Sequence, residues 1–244
     1  MKTTVKSSMI LFVIAFLCQA FQNRNANAED FSYLQNEGRE YVVSGKIIGA
    51  PNGWFYLAHS ELLKKDMRID STKITGGEFK FSGIIEGIAP FILGLPARND
   101  KGEIIRGSML YRGSLLLSPG HLRIEGEYGQ LSKAHGTTAQ NQYNIYTENN
   151  RIVNNRLYTV QKKLNGLNEN NNEKARLENE IRIIETKQLD FLEKHVTEYR
   201  DSEVSAFILS KFATLDGKTL KAFYDRLSIE VQKSNSGKKL FQLI

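Results

Sequence analysis

The spacing of apolar residues changes near Thr138, and this change constrains the fold more than any other feature of the sequence. Before Thr138, apolar and polar residues alternate in short segments separated by Gly, Pro and Asn, which is typical of β-strands. After it, apolar residues recur every three or four positions, which is typical of amphipathic helices. The sequence therefore predicts an α+β protein, with an antiparallel β domain over residues 29–137 and a helical region over residues 138–244.

Segment 69–83 predicts a β-hairpin that turns at Gly76-Gly77. A glycine pair supplies the positive φ angles that a tight two-residue turn requires. After the turn, Phe79 and Phe81 lie on one face of the strand and polar residues lie on the other. We therefore expect the face that carries the two phenylalanines to be buried.

Similar short segments predict strands throughout the β domain, arranged as a sandwich or a barrel. They lie at residues 41–48, 54–58, 67–75, 78–85, 90–95, 109–117, 122–126 and 131–135. The segments on either side of Gly76-Gly77 are expected to pair with each other, and so are those on either side of the turn Ser118-Pro119-Gly120. Residues 98–107 predict a charged loop.

Two long helices are predicted in the helical region, each of roughly 25 residues. Their apolar stripes are Tyr143, Tyr146, Val153, Leu157, Val160 and Leu164 in the first, and Leu177, Ile181, Ile184, Leu192, Val196 and Tyr199 in the second. Gly166 and the Asn-rich run 168–172 separate them, which predicts an antiparallel helical hairpin. Shorter helices capped by Ser202, Asp216 and Ser228 are expected to follow. The stripes suffice for the hairpin itself, so a homodimer is compatible with the pattern but not required by it.

The N-terminus predicts an export signal over residues 1–28. Lys2 and Lys6 precede an apolar run at 9–21, and Ala26-Asn27-Ala28 fits the cleavage rule, so the cut would fall before Glu29. The run is shorter than the roughly 20 residues of a membrane span. We expect a protein of the periplasm or outer cell envelope. An uncleaved anchor and a lipid anchor at Cys18 are alternatives, although Leu17 is a poor neighbour for lipidation.

The charge and the cysteine content exclude some classes of function. Without the three basic residues of the leader, the chain keeps 30 basic and 27 acidic residues, a net charge of +3. That charge is weak and unclustered, so we expect no nucleic-acid binding. Cys18 is the only cysteine, so the processed chain would contain neither a disulfide nor a redox dithiol.

No known catalytic or metal-binding motif occurs in the sequence. His59, His121, His135 and His195 lack the spacing of metal ligands, and no nucleophile elbow or P-loop is present. We therefore expect no catalytic residue, cofactor or metal. The first three histidines are expected in turns, and His195 beside the apolar stripe of the second long helix.

Three aromatic residues on predicted strands, Trp54, Tyr56 and Tyr111, are the candidate ligand contacts. An exposed row of aromatic rings on a sandwich could stack against sugar rings or a peptide. The alternative is that these residues pack under the long helices and contact no ligand.

Four groups of residues resemble a known family. They are Ser-Gly-Lys-Ile at 44–47, Asp-Ser-Thr at 70–72 with Gly-Glu-Phe-Lys-Phe-Ser-Gly at 77–83, Leu-Ser-Pro-Gly at 117–120 with Ile-Glu-Gly at 124–126, and Leu227-Ser228 with Ser236-Gly237-Lys238. They are similar to the N-terminal domain of unknown function, and the helical linker after it, of exported TlpA-like thiol-disulfide oxidoreductases of Gram-negative bacteria. The resemblance covers the chain from Tyr41 onward. The family's thioredoxin-like domain with its Cys-x-x-Cys site has no counterpart here, so its redox chemistry transfers to no residue.

The resemblance implies an accessory role in the envelope. The leading hypothesis is a non-catalytic module that binds or positions a partner, such as a thioredoxin-like envelope protein. A truncated or split thiol-disulfide oxidoreductase without its redox domain is the second hypothesis. A carbohydrate- or peptide-binding protein that uses Trp54, Tyr56 and Tyr111 is the third.

Overall fold

The computed structural model describes residues 38–59, 70–94, 96–98, 104–109, 113–130, 133–167, 173–212 and 215–244. The predicted export signal at 1–28, the candidate residue Tyr111 and the Asn-rich run 168–172 lie outside the described residues. The chain divides into two compact units, Met1–Gln140 and Asn141–Ile244. The first unit is rich in strands and the second is helical, which confirms the predicted α+β class.

The described residues of the β unit form two four-stranded sheets and a small two-stranded sheet. Its strands are β1 (Arg39–Ile48), β2 (Gly53–His59), β3 (Asp70–Ile74), β4 (Glu78–Ile85), β5 (Ala89–Gly94), β6 (Pro96–Arg98), β7 (Ile104–Met109), β8 (Gly113–Leu117), β9 (Gly120–Glu127) and β10 (Lys133–His135). Sheet 1 has the order β10-β9-β1-β4, and sheet 2 has the order β3-β2-β5-β8. Of the predicted loop at 98–107, Arg98 and residues 104–107 instead belong to the β6–β7 pair, and residues 99–103 lie outside the described residues.

The core of the β unit lies between the two sheets, as in a sandwich. Val43 and Leu122 of sheet 1 and Leu57, Leu93 and Leu117 of sheet 2 are fully buried in it. The other face of sheet 1 is polar and solvated, as the ion pair between Lys46 and Glu78 illustrates. Strands β2 and β5 of sheet 2 are buried on both faces, which fits their inner positions in that sheet.

The turn at Gly76-Gly77 is present, but the strands that it joins belong to different sheets. Both glycines have positive φ, at 59° and 84°, and the amides of Thr75 and Glu78 each donate to the other residue's carbonyl, at 3.1 and 3.0 Å. Beyond this bridge β3 pairs with β2 and β4 pairs with β1. The predicted pairing of β3 with β4 is therefore wrong, because the two strands lie in different sheets. Their inward side chains face each other across the core.

The turn at Ser118-Pro119-Gly120 also joins strands of different sheets. The predicted pairing across Ser118-Pro119-Gly120 is wrong, because β8 pairs with β5 in sheet 2 while β9 pairs with β1 and β10 in sheet 1. Strands β1 and β9 run parallel, whereas the other pairs are antiparallel. The short strand expected at 131–135 is confirmed as β10, at the edge of sheet 1.

The helical unit begins within a long helix, and its described residues form five more. The helices are α1 (Thr138–Asn165), α2 (Glu173–Glu198), α3 (Glu203–Ser210), α4 (Gly217–Tyr224), α5 (Ile229–Lys233) and α6 (Asn235–Phe241). The predicted antiparallel hairpin is confirmed for α1 and α2. The side chain of Gln188 donates to Asn154 at 2.6 Å. Nearer the start of α1 and the end of α2, the rings of Tyr146 and His195 lie 5.3 Å apart.

Helix caps agree with the sequence at two of three positions. The side chain of Ser202 accepts from the amide of Val204, and that of Asp216 accepts from the amide of Thr219. Ser228 occupies the expected cap position of α5, but its side chain makes no cap bond. Ser234 caps α6 instead, by accepting from the amide of Gly237 at 3.1 Å.

Gly237 marks the tightest approach between α5 and α6. A Cβ atom at this position would collide with the carbonyl oxygen of Val231 and lie 2.6 Å from that of Gln232. Both obstacles are backbone atoms, which cannot rotate away. The short segment that joins the helices can fold back this closely because residue 237 has no side chain.

Candidate partner-binding surface

The structure separates the aromatic residues that the sequence nominated as ligand contacts. Trp54 lies near the start of β2 and is 47% exposed, whereas Tyr56, two residues later on the same face, is 8% exposed. The ammonium group of Lys73, the neighbour of Trp54 on β3, lies 5.6 Å from the indole centroid in a cation–π arrangement. Trp54 is thus a single exposed ring beside a cation, and Tyr111 lies outside the described residues.

The histidines expected in turns lie in strands. His59 ends β2 and is buried, with its ring 5.2 Å from the ring of Phe91. His121 and His135 lie on β9 and β10 and are exposed. Those expectations are wrong because a histidine near predicted turn residues can equally occupy the end of a strand.

One polar pair is created by the fold and was missed by sequence reasoning. The hydroxyl of Ser44 on β1 lies 2.7 Å from Nε2 of His121 on β9. A serine bonded to an imidazole is the first requirement of an activated nucleophile, but the imidazole also needs a group that orients it. Among the described residues no carboxylate bonds to the other ring nitrogen, and His121 lies on the solvated face of sheet 1. We therefore interpret this contact as a surface hydrogen bond.

His195 lies in a buried aromatic cluster, beside the apolar stripe of α2 as predicted. Its ring is 5.3 Å from that of Tyr146 on α1 and 4.8 Å from that of Tyr199. Nε2 is buried and has no hydrogen-bond partner among the described residues. Burial lowers the pKa of His195 to about 4, against the opposing charge of Glu198. The imidazole is therefore neutral near pH 7 and packs as an aromatic ring.

A cleft of about 410 Å³ lies within the helical unit between α2 and α4. The guanidinium of Arg226 donates to Glu193 at 3.1 Å and to the hydroxyl of Thr197 at 2.5 Å, and it lies over the ring of Phe223. Asp216 accepts from the hydroxyl and the amide of Thr219, and these bonds lower its pKa. Arg226, Glu193 and Asp216 thus each have a hydrogen-bond partner in the cleft, so we interpret it as a polar contact between helices.

Exposed hydrophobic side chains are concentrated in the helical unit. Eight of the eleven large hydrophobic residues exposed in the described part of the chain belong to it, namely Ile145, Ile152, Tyr158, Ile183, Ile229, Phe241, Leu243 and Ile244. A soluble surface can carry scattered apolar side chains, but a contiguous group marks an interaction site. The exposed apolar side chains of the described residues therefore lie mainly on the helical unit.

Three of these residues lie together at the end of α6. The ring of Phe241 is 5.5 Å from the ring of Tyr224 on α4, and the carbonyl oxygen of Ile244 is 3.2 Å from the Cβ position of Gly217. We define Tyr224, Phe241, Leu243 and Ile244 as the α4–α6 patch. Residues 217–244, which contain the patch, have six basic and two acidic residues, a net charge of +4.

The described residues contain no group of three or more His, Cys, Asp or Glu side chains that could hold a metal ion. No described helix combines the length and the apolar character needed to cross a membrane.

Comparison with known proteins gives one informative result. Residues 41–143 match the family model of a domain of unknown function (DUF4369). Searches of curated proteins and of solved structures found no match. The matched stretch runs from β1 through β10 into the first turns of α1. The β unit, which contains the strand motifs quoted above, is therefore similar to a domain of unknown function.

Proposed function

We propose that this protein is a non-catalytic module of the cell envelope that binds a partner in a thiol-disulfide oxidoreductase-like system. The observation that carries the proposal is the α4–α6 patch, where Phe241, Leu243 and Ile244 are exposed together beside Tyr224. When a partner removes the apolar groups of such a patch from water, the free energy falls and the complex is stabilised. The choice of system rests on the resemblance of the sequence motifs to TlpA-like proteins.

The charge around the patch specifies the surface that a partner should present. Six of the eight charged residues in 217–244 are basic, so an acidic rim around an apolar centre would be complementary. A thioredoxin-like envelope protein is the partner that the resemblance implies. The contribution of charge is expected to weaken as salt rises, whereas the apolar contribution persists.

An affinity pull-down from the envelope fraction tests this proposal. The tagged wild-type chain should retain a thioredoxin-like protein, identified by mass spectrometry. Phe241→Ser should lose it, whereas Ile183→Ser, which removes an exposed apolar side chain from α2, should retain it. Recovery of no thioredoxin-like protein, or equal retention by both variants, would contradict the proposal.

The location can be tested on the same preparation by intact mass. Cleavage before Glu29 gives the mass of residues 29–244 and supports export. A chain that keeps Met1 contradicts cleavage, and a lipid-modified chain that begins at Cys18 identifies the lipoprotein alternative.

A second candidate function rests on Trp54. An indole that is half exposed can stack on a sugar ring or a peptide side chain, and Lys73 beside it could bond to a polar group of the ligand. Because Tyr56 is buried, Trp54 is the one exposed ring of this platform among the described residues. Trp54 is the only tryptophan of the chain, so ligand binding at this position should change the intrinsic tryptophan fluorescence. Titration with soluble oligosaccharides and peptides decides this candidate, with Lys73→Ala as the control because it keeps the tryptophan that reports binding.

A further inference from the structure

Helix α1 exposes two isoleucines that do not belong to its buried stripe. Ile152, near the middle of the helix, is 71% exposed, and Ile145 is 48% exposed. The two residues are seven positions apart, so they lie on the same side of the helix. The side chains of Leu157 and Val160 are buried instead. The helix therefore has a second, solvent-facing apolar side.

Opposite charges flank Ile152 symmetrically on that side. Glu148 lies four residues before it and Arg156 four residues after it, and residues four apart share one side of a helix. Both side chains are largely exposed. Glu148 pairs with Arg151 and Arg156 with Glu180, but a carboxylate can accept several hydrogen bonds and a guanidinium has five N–H donors. Each group can therefore bind a further ion of opposite charge.

This symmetry fits a second copy of the same helix. In an antiparallel pair with a two-fold axis at Ile152, the residue n positions before Ile152 meets the residue n positions after it in the other copy. Glu148 of each copy then faces Arg156 of the other, and the two Ile152 side chains meet on the axis. A parallel pair would instead place Glu148 against Glu148 and Arg156 against Arg156. The charges thus favour the antiparallel pair and disfavour the parallel one.

We infer that two copies of this chain associate through α1, antiparallel, with Ile152 on the two-fold axis. Neutral side chains occupy the next positions, since Asn149 faces Asn155 and Ile145 faces Thr159. The apolar centre consists of few side chains, so the dimer is expected to dissociate on dilution and to weaken with salt. This surface is distinct from the α4–α6 patch, and the inference does not depend on the proposed function.

Cysteine cross-linking tests the position of the axis. In a Cys18→Ser background the chain has no cysteine of its own. Ile152→Cys should give a disulfide-linked dimer under mild oxidation, because the two thiols would meet on the axis. Tyr158→Cys is the matched control, since Tyr158 is 50% exposed on the same helix but about a third of a turn away from Ile152. Equal cross-linking of both variants, or none with Ile152→Cys, would overturn the inference.

Charge reversal tests the pairing itself. Glu148→Arg and Arg156→Glu should each abolish self-association, because each brings like charges together across the axis. Mixing the two variants should restore a dimer that contains one copy of each, since every cross-pair is then opposite in charge. Sedimentation equilibrium of the wild type, the single variants and the mixture measures this, and circular dichroism verifies that α1 remains folded. A monomeric wild type, or a mixture that stays monomeric, would refute the dimer.

Discussion

Phe79 of β4 meets Phe55 of β2 edge to face, with ring centroids 4.8 Å apart, although the two strands belong to different sheets. Phe81 lies 6.1 Å from Phe55 and 6.0 Å from Phe79, so three rings fill the space just beyond the Gly76-Gly77 turn. Edge-to-face ring pairs add to the free energy of simple burial. The corner between the sheets is therefore joined by aromatic contacts immediately after the chain crosses it.

Phe81→Ala should destabilise the β unit by about 3–5 kcal/mol, the range for a buried phenylalanine. Phe81 is almost fully buried in the core between the sheets. Urea unfolding followed by the fluorescence of Trp54 measures the change, because the only tryptophan lies in this unit. Lys80→Ala on the solvated face is the control, with an expected effect within about 0.5 kcal/mol. A loss below about 1 kcal/mol for Phe81→Ala would contradict its burial.

The two turn glycines should respond differently to the same substitution. Both have positive φ, which costs a residue with a side chain about 1–2 kcal/mol. A Cβ at Gly76 would meet open space, whereas a Cβ at Gly77 would collide with the carbonyl oxygen of Ile47. Gly77→Ala should therefore destabilise the β unit more than Gly76→Ala, as measured by urea unfolding. Equal losses would show that only the dihedral angles matter at this turn.

Gly237→Ala should destabilise the helical unit although glycine is a poor helix former. In an open helix this change stabilises by about 1 kcal/mol. At Gly237 the added Cβ would collide with the backbone of Val231 and Gln232, so a loss of about 1–3 kcal/mol is expected from overpacking. Thermal unfolding by circular dichroism measures the sign. Gly166→Ala, where the nearest atoms lie at ordinary contact distance, is the control, and a stabilising Gly237→Ala would disprove the close approach.

His195 should make the helical unit less stable at acid pH. Burial lowers its pKa from 6.5 to about 4, so protons bind the unfolded chain more readily than the folded one. The stability of the folded unit with neutral His195 is fully present above pH 6.5 and is lost as the pH falls towards 4. The free energy of unfolding should fall by at most about 3 kcal/mol in total. Denaturant unfolding by circular dichroism across this range measures the effect.

His195→Phe should flatten that dependence, because phenylalanine fits the aromatic cluster and binds no proton. The control is His135→Gln, which removes an exposed histidine and should leave the dependence unchanged. If the wild type and His195→Phe lose stability in parallel, other groups titrate and His195 is not the cause.

Local patterns predicted most elements but not how they pair. Alternation at Phe79 and Phe81 correctly identified the buried face, because the period of two is a property of the strand itself. Which strand lies beside β4 is decided by contacts with β1, more than thirty residues earlier, and no short segment encodes them. The sequence did not predict the parallel pair of β1 and β9 or the contact between Ser44 and His121, because both depend on strands that are far apart in the chain.

The candidate site was harder to predict than the fold. Trp54 and Tyr56 share a face of β2, so periodicity alone predicts the same burial for both. Their burial differs because Trp54 lies near the start of the strand and Tyr56 lies in its middle. The α4–α6 patch was missed because apolar residues at helical spacing predict burial. Exposure of Phe241 depends on how α6 lies against α4, which spacing alone does not determine.

The crossing of the chain at both corners has a consequence for the order of folding. Strand β1 completes its pairing only with Gly120–Glu127, because Tyr41 lies opposite Gly120 and Ile48 opposite Glu127. Until a ribosome or an export channel has released β9, sheet 1 lacks an inner strand and the three phenylalanines have no closed core to enter. Such long-range pairing slows folding. The β unit should therefore emerge as an unfolded chain and assemble late, in one step, rather than grow strand by strand from its N-terminus.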